Sequence, residues 1–210
     1  NANSAFGIAF DVVGLRGVTD RRRRWLYLLL AVPWRALTYR RRQEFYVVEI
    51  DGERPHEATM IANWLKPEVS LWISVGNSHA VYFDEQVASG AFATVEEAIA
   101  HEFASVPRAT EQLVMIDGAN ELMRRNVEDV SAQVAMVDGA PDAYTVRPTD
   151  TQFIICGIKF TFQFPAPKEI SVQLQMLVHL ADYLQMPVTS DVSKFRMPPS
   201  RSNFFRGKNG

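Results

Sequence analysis

Three short apolar runs in this chain stop on the same dipeptide. Residues 45–50 close on Asp51-Gly52, 113–116 on Asp117-Gly118 and 133–137 on Asp138-Gly139. Runs so short suit strands better than helices. The Asp-Gly pair then starts a turn, because aspartate bonds its own backbone and glycine tolerates positive φ. Two of the runs are near copies. Residues 112–119 and 133–140 are identical at five of eight positions, 21 residues apart. Two copies do not make a solenoid. The simpler reading is one local grammar used twice, a buried strand closed by an Asp-Gly turn.

Other segments alternate between the two periods. Residues 6–13 read as a short strand, and 20–37 as a helix that Pro33 kinks or ends. That helix is apolar nearly all round (Trp25, Leu26, Leu28, Leu29, Leu30, Val32), which predicts burial on several sides or an interface. Residues 56–65 look helical, with Ala58, Ile61, Ala62 and Leu65 on one face. The alternation Val69, Leu71, Ile73, Val75, followed by Gly76-Asn77 and 80–83, predicts a β-hairpin. Thr94 to Glu97 is a capping box ahead of a helix to about residue 105. A strand at 113–116, a short helix near 121–125 and strands at 132–137 and 144–147 follow. Residues 152–164 read as one strong strand with Phe160, Phe162 and Phe164 on one face. A helix at 168–185 is stopped by Pro187. The expected class is α+β, a mixed or antiparallel sheet with hairpins and about four to five helices. The expected division is a basic N-terminal segment with an apolar helix (1–42), an α+β domain (43–186, with a sub-boundary near 150) and a basic aromatic tail (187–210).

The formal net charge of −2 conceals a split. Residues 1–42 carry nine arginines against two aspartates, 43–142 five basic against eighteen acidic side chains, and 143–210 eight against four. Such asymmetry suggests a charged partner or self-pairing. The arginines cluster as Arg21, Arg22, Arg23 and Arg24 before the apolar helix, and Arg40, Arg41 and Arg42 after it. The tail interleaves cations and aromatics at Arg201, Phe204, Phe205, Arg206 and Lys208. These twelve residues are the candidate anion- or partner-binding set, for phosphate or for an acidic protein surface.

The residues offer little for catalysis. Asp51, Asp117 and Asp138 would converge on a hard cation if their strands were parallel neighbours, but each equally begins a turn. Gly76-Asn77-Ser78-His79 looks like an esterase nucleophile block, yet His179 has no acidic residue to orient it. Glu97, His101 and Glu102 share a helix that lacks the second histidine of a zinc site, and read as a solvated face. No Walker phosphate loop and no dinucleotide glycine fingerprint occurs, so no cofactor is expected. Cys156, the only cysteine, lies in an apolar run and reads as a small buried hydrophobe. It predicts a soluble protein of a reducing compartment, cytosol or organelle matrix. The longest apolar stretch, 25–37, falls short of the roughly twenty residues a spanning helix needs, so no transmembrane span is expected.

Residues 159–206 resemble the first half of ribosomal protein ten of the small subunit. The strand is 159–164, the helix 168–185, the loop element Met197-Pro198-Pro199, and Phe204-Phe205-Arg206 would open the next strand. Pro165-Ala166-Pro167 stands where that family usually has an aspartate. The resemblance implies an organellar ribosomal subunit whose tail contacts RNA or neighbouring proteins. Together these features predict a non-enzymatic structural or adaptor subunit, with other protein subunits and RNA as its partners. Two alternatives stay open: a stand-alone inhibitor or immunity-type protein using its acidic middle, and a metal-dependent hydrolase using the strand-end aspartates.

Overall fold

A computed structural model describes residues 5–15, 22–40, 44–52, 54–76 and 80–195. The chain resolves into two compact units, residues 1–114 with 120–135, and residues 115–119 with 136–210. The architecture is mixed α+β, with one parallel and one antiparallel three-stranded sheet.

The first sheet has the order β1 (Val69–Trp72), β2 (Leu113–Asp117), β3 (Gln133–Val137). Its strands run the same way. The Glu68 carbonyl accepts from the Gln112 and Leu113 amides at the start of β2, and the Gln112 carbonyl accepts from Gln133 at the start of β3. At the far ends the Gly118 amide donates to the Val137 carbonyl, 2.7 Å away. The two copies of the 112–119 pattern are therefore neighbouring parallel strands. Parallel neighbours need a crossover, and helices supply it. Between β1 and β2 lie α4 (Asp84–Ala88), α5 (Val95–Phe103) and α6 (Ser105–Ala109), and between β2 and β3 lies α7 (Glu121–Asn126).

Several local signals hold. Thr94 Oγ1 accepts from the Glu97 amide at 3.2 Å, and the Glu97 carboxylate accepts from Ala93, one residue beyond the cap itself. Asn120 caps α7 by accepting from the Met123 amide. The helix α3 (Glu57–Leu65) buries Ala58, Ile61 and Ala62, the face its spacing predicts. Phe83, Ala98 and Ile99 form a core cluster beside Val95 and Phe103.

Four expectations are corrected. Of the expected strand 6–13, residues 6–12 fall within a helix, α1 (Ala5–Val12), and 13 in the turn after it. The helix α2 (Arg22–Thr38) runs through Pro33 to Thr38, and of its large apolar side chains only Leu28 is buried. Residues 45–50 belong to no strand. The predicted hairpin at 69–83 does not form. Its first arm is β1, which pairs with β2 instead, and its second arm holds a 3-10 turn at Ala80–Tyr82, with residues 77–79 outside the described set. Alternation identifies a strand but not its partner, so the nearby arm looked plausible.

The second sheet is an antiparallel meander, β4 (Ala143–Val146), β5 (Thr151–Ile155) and β6 (Ile158–Phe162). Phe153 and Phe160 face each other in register and are fully buried. The long run 152–164 is thus a hairpin, not one strand. It turns at Cys156-Gly157, both at positive φ (51° and 76°), which places Cys156 on the surface. The helix α8 (Ile170–Tyr183) packs Leu174 into the same core, and Phe195 stacks on Phe164. Phe160→Ala should lower stability by about 3–5 kcal/mol, while Cys156→Ala should change it by less than about 0.5 kcal/mol. Urea unfolding of the two variants measures both. Equal losses would refute this placement of the turn.

Candidate functional site

The carboxyl ends of β2 and β3 are built from paired Asp-Gly turns. Asp117 accepts from the Ala119 amide and Asp138 from the Ala140 amide, both at 2.9 Å. The helix α8 clamps the second turn. The Gln175 side-chain amide donates to Asp138 at 3.0 Å and accepts from the Gly139 amide at 2.8 Å, and Ser171 donates to the Gly139 carbonyl. Glycine is required here. Gly139 sits at φ 67°, and a Cβ would meet Val172 at 2.7 Å. A Cβ on Gly118 would sit 3.0 Å from the Val137 carbonyl oxygen. The bond from Ala140, then that from Gln175, holds the Asp138 carboxyl below the ordinary aspartate range.

The turns define what this edge can bind. The amides of Gly118, Ala119, Gly139 and Ala140 are all donated within the protein. None is left to cradle a phosphate as an anion-binding nest does. The side chains presented are carboxylates. A carboxylate offers about four lone-pair sites, and the turns use only part of them. The edge thus suits hydroxyl or amino donors and disfavours anions.

A second feature lies wholly within the first unit. An open cleft of about 540 Å³ is lined by His56, Thr59, Asn63, Phe92, His101, Glu102 and Arg108, among others. Glu102 is only 6% exposed, and one carboxylate oxygen accepts from the Thr59 amide at 3.1 Å and from its hydroxyl at 3.3 Å. Arg108 pairs with Asp129 at 3.2 Å, and the His101 ring lies 5.2 Å from that of Phe92. The solvated face expected at Glu97, His101 and Glu102 is corrected for Glu102. Its spacing after Val95, Ala98 and Ile99 already puts it on the apolar stripe of α5. Ser171 and Gln175, one turn apart on α8, carried no comparable signal.

The remaining predicted residues scatter. Asp51 is half-buried in the 44–52 segment, which forms no strand. Among the described residues no three His, Cys, Asp or Glu side chains are grouped to hold a metal ion. Arg22 and Arg23 lie in the first turn of α2, and Arg24 and Arg40 are exposed. Arg21, Arg41, Arg42, Arg201, Phe204, Phe205, Arg206, Lys208, Ser78 and His79 lie outside the described residues. No helix among those residues is long and apolar enough to cross a membrane.

No family model matches the chain, and no curated protein does. Solved structures do. MurF from Acinetobacter baumannii superimposes with a TM-score of 0.63 at 15% identity, over 85% of this chain and 40% of that one. The fold is similar to that of a MurF ligase. The Thermotoga maritima MurF ligase, in complex with ADP, gives 0.62 at 16% identity, over 86% and 42%. The chain spans about two fifths of the length of these ligases.

These likenesses overturn several expectations. The strand, helix and proline loop of 159–206 do not mark a ribosomal protein, because 85% of the chain aligns in fold with a MurF and the expected strand 159–164 falls largely in β6, one arm of the β5–β6 hairpin. The reading of a non-enzymatic structural subunit gives way too, since the similar structures are enzymes. With it go RNA binding and a ribonucleoprotein role, and neither the inhibitor nor the metal-hydrolase alternative is favoured.

Two outcomes follow from the geometry. Gln175→Ala should raise the Asp138 titration midpoint in a carboxyl NMR titration. A depressed folded-state value stabilises the fold above the ordinary aspartate range, and the gain is lost as pH falls through the folded value. The variant should therefore lose less stability on acidification than the parent; an unmoved midpoint would show that Gln175 does not hold the carboxylate. Glu102→Ala strips the Thr59 amide of its acceptor and should cost about 1–3 kcal/mol in denaturant unfolding.

Proposed function

We propose that this chain forms part of an ATP-dependent ligase of the MurF kind. The supporting observation is the likeness in fold to two MurF structures, one of them a complex with ADP. In open α/β sheets, ligands bind beyond the carboxyl ends of the strands. Here that edge is the Asp117 and Asp138 turns. Their chemistry fits the hydroxyl and amino groups of an adenosine and not its phosphates, because the turn amides are already donated and the side chains are anionic. In this reading ATP supplies the energy of ligation when bound, and the two turns orient its nucleoside end. The phosphate grip and the other ligase elements come from further polypeptide sequence, in the same protein or in a partner subunit. A reducing compartment suits the exposed free thiol of Cys156.

Titrating the 210-residue chain with adenosine and, separately, with ADP tests this by amide NMR. Both should shift the resonances of residues 117–119 and 138–140, with similar affinity. No shift at those turns, or shifts that demand the phosphates, would overturn the assignment.

A further inference from the structure

The helix α2 has two faces. Inward, Leu28 packs with Ala31 and Val32 against Phe10 and Leu15. Arg35 fixes the rotation of that face by donating to the carbonyls of Val13 and Gly14, each at 3.2 Å, and by lying over the Tyr39 ring. Outward, at spacings of three and four, stand Leu26, Leu30 (74% exposed), Trp34 (68%) and Leu37 (87%), flanked by Tyr27 and Leu29. An apolar face of this size is more than a monomer normally leaves to water. The helix is 17 residues long, about 25 Å, and holds no acidic side chain. In sequence, Arg21 to Arg24 precede the exposed stretch and Arg40 to Arg42 follow it.

We propose that α2 lies in the plane of an anionic lipid surface, with its outward face in the acyl boundary and its arginines at the headgroups. The combination is that of an interfacial helix, an apolar arc with Trp and Tyr and cations at the margin. A second copy of the chain is a poor occupant. An antiparallel two-fold pairing of α2 across this face would bring the exposed Arg24 and Arg40 of the two copies together with no acid on the helix to offset them. A phosphate-rich surface suits the exposed Arg24 and Arg40 toward the two ends of the helix. The inference is independent of the ligase reading.

Co-sedimentation of the 210-residue chain with lipid vesicles tests it. Vesicles of phosphatidylcholine and phosphatidylglycerol in equal parts should pellet the protein, and phosphatidylcholine alone should not. Changing Arg22, Arg23 and Arg24 to Gln should cut partitioning by about fivefold per arginine at low salt. The double variant Leu30→Glu, Leu37→Glu, both on the outward face, should abolish binding with an unchanged circular dichroism spectrum. No pelleting with the anionic vesicles, or pelleting indifferent to the double variant, would overturn the proposal. So would a dimer in sedimentation velocity that the double variant dissociates while vesicles are ignored.

Discussion

A parallel strand buried on both faces is the constraint from which much of this fold follows. Val114, Met115 and Ile116 in β2 are almost wholly inaccessible. Such a strand cannot leave one face to water as a hairpin can, so it needs helical crossovers and reads as a continuous apolar run. The chain meets the need with α4 to α6 before β2 and with α7 after it. The same arrangement brings the ends of β2 and β3 side by side, where each strand must stop without burying an unpaired amide. The Asp-Gly turns solve that locally, each carboxylate accepting from the amide two residues on. Chemistry at this edge is therefore set first by the demands of strand termination and only then by any ligand.

That priority explains why the aspartates looked more catalytic in sequence than they are in place. Three apolar runs ending on Asp-Gly suggest three carboxylates at one sheet edge. Only two of the runs become sheet strands, and both aspartates there are engaged in their own turns. The third run, 45–50, has the composition of a strand but joins no ladder among the described residues. Composition measures how well a segment would tolerate a sheet, whereas membership depends on a neighbour the segment does not encode.

Signals with short reach were legible. The Thr94 cap, the short helix at 121–126 and the strands 113–117 and 133–137 all follow from residues within one or two turns. Signals of long reach were not. β1 pairs with a strand some forty residues on, past several helices, so the nearer segment at 80–83 was the natural wrong partner. The Cys156-Gly157 turn was hidden for a different reason. Cysteine is not a residue favoured at positive φ, so the apolar run seemed unbroken through it. Glu102 shows the reverse case, since its position on the apolar stripe was readable and only its charge argued for water. Two hydrogen bonds from Thr59 keep a carboxylate at that depth. The ligase likeness lies in backbone arrangement, at only 15–16% identity, and so it was out of reach of the sequence reading.

The charge split acquires a structural meaning from α2. Arg35 is not part of the cationic display, since its guanidinium is spent on the Val13 and Gly14 carbonyls and on the Tyr39 ring. It works as the pin that holds the rotational setting of the helix. With that setting held, Leu28 must face inward, and the residues one half-turn away must face out. Pro33 then falls on an exposed part of the helix, where the hydrogen bond it cannot make leaves a carbonyl that solvent can satisfy. The apolar outward arc is thus not an accident of a loosely placed segment. It is dictated by one buried leucine and one anchored arginine, and any occupant of that face must accept both an apolar strip and the arginines at its ends.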